Sequence, residues 1–128
     1  MNNHLTTSNA NNKYLIEYIS EFLIDLGIDP ELKGFNYIGE AAVMFPDIIR
    51  SNKSVKDLYR IIGEIYDTSP KRVERLIRMS LEAAWYSDKI NLSNKIFDSQ
   101  YFNEQNIPSN ARFIAAVSEI IRMKFICI

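Results

Sequence analysis

The chain has 128 residues, enough for one compact domain with its own core. Hydrophobic residues make up 47% and charged residues 24%, the balance of an ordinary soluble globular protein. A formal net charge of -1 argues against a protein that coats nucleic acid regardless of sequence, but it leaves room for a local cationic surface. Taken in order, the chain opens with a polar, asparagine-rich stretch, Met1 to Asn12, which has too little apolar surface to fold alone and reads as a flexible tail. It holds the one histidine, His4, with no partners for catalysis or metal binding. Residues 13–128 then read as a single helical domain.

Lys13 to Leu26 has the spacing of a helix, with Leu15, Tyr18, Ile19, Phe22, Leu23 and Leu26 on one apolar stripe. Gly27 supplies a left-handed stop. Glu17, Glu21 and Asp25 form a solvated acidic face. Pro30 and Gly34 punctuate a connection. Phe35 to about Phe45 is the second helix, with Tyr37, Ile38, Ala41, Ala42 and Phe45 inside, and Pro46 is expected to interrupt or kink it before Ile48. Ser54 to Tyr66 is the third, capped by Ser54, with Asp57 suited to the helix dipole. Its apolar face is Val55, Leu58, Tyr59, Ile62, Ile65 and Tyr66. Gly63 within it costs about 1 kcal/mol relative to alanine, as a weaker helix or as room for a close approach.

Asp67-Thr68-Ser69-Pro70 is a short polar turn into the next helix, 70–86. Ser69 suits the cap and Pro70 the first helical position. Val73, Leu76, Ile77, Leu81, Ala84 and Trp85 share one face. Lys71, Glu74, Arg75, Arg78 and Glu82 share the other, with Arg72 at its edge. An ordinary surface helix with solvated charges fits this pattern, and so does a DNA recognition helix, whose N-terminal half reaches base edges while its back is held by the domain. Two helices joined by about four turn residues, the second basic outside and apolar inside, make a helix-turn-helix pattern. Leu92 to Phe97 reads as a short helix, Asp98 to Pro108 as a long loop, and Asn110 to Lys124 as the last helix, with Phe113, Ile114, Val117, Ile120 and Ile121 buried. The end, Phe125 to Ile128, is apolar.

Residues 1–66 carry six Lys/Arg against nine Asp/Glu, and residues 67–128 carry nine against seven, so positive charge shifts to the half that begins with the basic helix. The single cysteine, Cys127, cannot form an internal disulfide or a cysteine zinc site. Neither a secretory signal nor an apolar run of membrane-spanning length is visible, so the cytoplasm is the expected compartment. The residues suggest no cofactor. With no phosphate-cradling glycine loop, metal-ligand spacing or nucleophile–base pair, an enzyme is not expected.

Several separated runs resemble one family: Leu26-Gly27-Ile28, Leu32 to Tyr37, Arg72 to Arg78, Glu82 to Trp85, and Pro108 to Ala115. Over roughly Ile24 to Lys124 the chain resembles the DNA-binding effector domain of the stage-zero sporulation response regulator. The resemblance implies an all-α, compact six-helix domain with a helix-turn-helix. It implies double-stranded promoter DNA as the partner, read often by a tandem homodimer, with a contact to the RNA polymerase sigma subunit. The family's base-reading glutamate and arginines fall on Glu74, Arg75 and Arg78, with Ser69, Lys71 and Arg72 as backbone or supporting contacts. Such chemistry is sound, since arginine donates twice to guanine and glutamate accepts from the cytosine amino group.

The chain also departs from the family. Met79 stands where the family has a histidine, and Ile107 where it has a lysine, so weaker binding or a changed site is expected. The stretch Asn91 to Phe102, near the polymerase-contact surface, matches loosely. Too few residues precede Ile24 for the family's receiver domain, so the chain is expected to be unregulated by phosphorylation, regulated through another partner, or an antagonist that occupies the same DNA sites or pairs with a full-length regulator. The low net charge, Met79, Ile107 and the apolar end make a protein-interaction module the alternative expectation.

Overall fold

The computed structural model describes residues 9–87 and 106–126, and every described element is an α-helix. The helices are α1 (Asn9–Leu26), α2 (Lys33–Arg50), α3 (Val55–Tyr66), α4 (Pro70–Tyr86) and α5 (Asn110–Ile126). The expected short helix Leu92–Phe97, the loop from Asp98 to residue 105, His4 and Cys127 lie outside the described residues. The sixth helix is therefore not among those observed, and the described count is five.

Helix α2 is the hub. It packs against α1, α3, α4 and α5, and α4 in turn packs against α3 and α5. The core is drawn from all five helices, with Leu23, Leu26, Ile38, Leu58, Ile62, Val73, Ile77, Leu81, Phe113 and Ile114 fully buried. Most of these lie on the stripes that the 3.6-residue period picks out, because a helix can bury only one face against its neighbours. Ile65 does not: it is exposed on α3, and Tyr66 is partly so.

Helix ends follow local chemistry. Gly27, at φ 98°, ends α1; its own amide bonds to Ile24 and that of Ile28 to Leu23, which returns two carbonyls to use at the terminus. Asn52, at φ 59°, does the same for α2. At the start of α3, Asp57 reaches back and its carboxylate accepts from the Ser54 amide at 2.9 Å.

Pro46 does not interrupt α2, which runs through it to Arg50. A proline inside a helix removes one bond, here the one to Ala42, and costs about 3 kcal/mol. Continuing the helix buries Ile48 on the same side as Ala41 and Met44, and that burial offsets the loss. Helix α2 also begins two residues before the expected Phe35, so Gly34 lies within it.

Candidate nucleic-acid interface

The approach to α4 is a tight reversal. After Tyr66, Asp67 takes the left-handed conformation (φ 57°), and the Thr68 amide donates to the Gly63 carbonyl at 2.8 Å. A side chain at position 63 would lie 2.6 Å from the Thr68 carbonyl oxygen, so only glycine lets the chain fold back this closely. The end of α3 is held to α2 by the Tyr66 hydroxyl, which donates to Glu40 at 3.1 Å, and by the edge-on contact of Tyr66 with Tyr37. Burial, reinforced by the Glu40 carboxylate, pushes the Tyr66 hydroxyl up to about 12, so it remains a donor throughout the neutral range.

Helix α4 then starts as its residues dictate. The Ser69 hydroxyl accepts from the Arg72 amide at 3.1 Å, and Pro70 occupies the first position. Its back is pinned by Val73, Ile77, Leu81, Ala84 and Trp85, and the buried set also includes Ser80. Gly34 of α2 lies directly against the Leu76 carbonyl and the Ser80 side chain, where a β-carbon would collide with both. The backbone of α2 thus meets both backbone and side chain of α4 at that point, which fixes the depth of α4 in the domain.

The front of α4 is open. Ser69, Lys71, Arg72, Glu74 and Arg75 are all exposed and line one shallow depression. A second depression runs beside it, between α3, α4 and the start of α5, and includes Lys56, Tyr59, Glu74, Arg78, Ile107 and Asn110. The two meet at Glu74. Together they set five cations, Lys56, Lys71, Arg72, Arg75 and Arg78, around one carboxylate. That excess on one face is the local positive surface that the near-zero net charge conceals.

Arg78 differs from its neighbours. Its Nε donates to Glu82 at 3.1 Å and its Nη1 to the Pro108 carbonyl at 2.7 Å, and the side chain is only 33% exposed. Two of its five N–H donors are committed within the domain, and these contacts leave the second N–H of Nη1 and both of Nη2 for a ligand. Close by, the Asn110 amide donates to the Glu74 backbone carbonyl at 3.1 Å. The Tyr59 hydroxyl is raised by burial, with the Asn110 side chain pulling it down and Glu74 pushing it up.

Of the six residues singled out in the sequence, the first depression gathers Ser69, Lys71, Arg72, Glu74 and Arg75, while Arg78 belongs to the second. Met79 is exposed on the outer side of α4, and Ile107 packs partly buried against the core. Lys56, Tyr59 and Asn110 escaped the sequence-based selection. Lys56 reads as an ordinary exposed helix residue and Tyr59 as core. Asn110 lies in a recognised motif, but its contact with α4 spans 36 residues of chain.

The family described as sporulation initiation factor Spo0A C terminal has a model that matches residues 19–121. The chain belongs to this family. The Spo0A C-terminal domain is a DNA-binding effector domain of sporulation regulators, a regulatory rather than a catalytic family. The Spo0A match takes in all of α2, α3 and α4 and most of α5, and with them every residue lining the two depressions. Among the described residues, no helix is long and apolar enough to cross a membrane.

Proposed function

We propose that this protein is a sequence-specific transcription regulator that reads promoter DNA through the N-terminal half of α4. In this reading α3, the turn 67–69 and α4 form a helix-turn-helix, and α4 enters the major groove. Glu74 and Arg75 contact base edges. Arg78 joins them through Nη2 while its other contacts anchor it to the domain. Lys71 and Arg72 meet phosphates, and Ser69 supports them by holding the helix start. Side-by-side binding as a tandem homodimer and a contact with the polymerase sigma subunit belong to the same reading and rest on the family resemblance.

The observation that carries this proposal is the exposed cluster on α4, carboxylate and arginine side by side, on a helix whose opposite face is pinned to the core. A merely solvated helix needs no such mixture; a base-reading one does, because guanine offers acceptors and cytosine a donor. The test is selection of duplexes from a random pool by the purified chain, followed by titration of the recovered sequence at several salt concentrations. A defined consensus is expected, with log affinity falling by roughly 0.9 per phosphate contact for each tenfold rise in salt. Recovery of a random pool would contradict the proposal.

A further inference from the structure

We propose that Asn110 is a positioning residue for base reading, acting through the backbone of α4; this rests on the function proposed above. Asn110 is the first residue of α5, 8% exposed, and its Nδ2 donates to the Glu74 carbonyl at 3.1 Å. It is not needed as a cap, because the Ser109 hydroxyl already accepts from the Arg112 amide at 3.1 Å. The Glu74 carbonyl is also the regular helical acceptor for the amide four residues on, and its second lone pair is what Asn110 takes. The bond therefore adds to the helix rather than replacing part of it.

Its place gives it a role. It grips the main chain at the residue where the two depressions meet, one peptide from Arg75. Four residues further on, Arg78 donates to the Pro108 carbonyl at 2.7 Å. The segment 108–110 thus holds α4 at two points one helical turn apart. Two such points, added to the apolar packing on its back, restrain rotation of the helix about its axis. Rotation matters unequally for the two kinds of DNA contact. Hydrogen bonds to base edges require placement within about 0.5 Å, whereas long cationic side chains follow phosphates through small shifts. Loss of the Asn110 bond is therefore expected to blunt discrimination while leaving sequence-independent affinity in place.

The experiment measures affinity of the full chain for the selected duplex and for a scrambled duplex of the same composition. It compares wild type, Asn110→Ala, Asn110→Ser, Ser87→Ala and Arg75→Ala, with the melting temperature of each. Asn110→Ser is the milder replacement that keeps a polar group at the helix start if Asn110→Ala fails to fold. Both Asn110 variants are expected to lower the selected-to-scrambled ratio roughly 5- to 20-fold, within the range of one good base contact, with scrambled affinity within about twofold of wild type. Ser87→Ala, which loses only the hydroxyl bond to the Ala84 carbonyl at the far end of α4, is expected to melt earlier with an unchanged ratio. Equal loss of ratio in Ser87→Ala and the Asn110 variants, or an unchanged ratio in the Asn110 variants, would overturn the positioning role. If Arg75→Ala also leaves the ratio unchanged, the function proposed above falls with it; if Arg75→Ala loses the ratio and Asn110 does not, only the positioning role falls.

Discussion

Arg75 and Arg78 project from the same basic face, yet the fold treats them differently. Arg75 is exposed beside Lys71 and Arg72, while Arg78 spends two donor groups on Glu82 and the Pro108 carbonyl. Periodicity placed both on the outer face and had no means of separating them, because the Pro108 contact joins residues 30 apart in the chain. Asp57 makes a comparable point nearer the surface. Ser54 is the N-cap, as expected, and the carboxylate of Asp57 accepts from the Ser54 amide in return, closing a capping box; that bond, with Arg60 adding to it, holds its pKa below the usual carboxylate range. A folded-state pKa below the unfolded value means that the stabilisation is complete above the ordinary carboxylate range and is lost as the pH falls through the folded value. Asp57→Ala is therefore expected to melt below wild type at neutral pH, with the gap closing in acid. Melting curves from neutral to strongly acidic pH check this, and a gap that holds constant in acid would contradict it.

At the scale of elements, the stripes of α1, α4 and α5 were legible because each buries a single face against one side of the core. Two features of α2 were not. Pro46 looked like a break, but the burial of Ile48 beyond it keeps the helix going to Arg50. Gly34 looked like loop punctuation, but it lies inside the helix where α4 comes closest. Both are cases in which a tertiary neighbour, invisible in a local window, decides the outcome. Gly63 is a second glycine of this kind: it allows a close approach, of a turn rather than of a helix. Gly63→Ala would gain helix propensity in α3 but press a β-carbon onto the Thr68 carbonyl. The clash is expected to win, with a net loss of about 1–3 kcal/mol in denaturant unfolding. A stabilised variant would show that the turn yields freely.

For the whole molecule, a net charge of -1 and a cationic face coexist because charge is partitioned by surface. Acidic residues such as Glu17, Glu21 and Asp25 lie exposed on α1, while the front of α4 collects cations from two helices. The order of motifs along the chain was enough to identify the family, but the assembly of the interface depends on contacts across the fold: Gly34 behind α4, and the segment 108–110 beside it. The central claim is that α4 reads bases through its exposed N-terminal half. The most direct test is a double-mutant cycle between Arg75→Ala and each base pair of the selected duplex. A coupling of about 1–3 kcal/mol at one guanine-containing pair, with near-zero values elsewhere, is the predicted result. Uniform weakening across all base pairs, with no coupling at any of them, would contradict it.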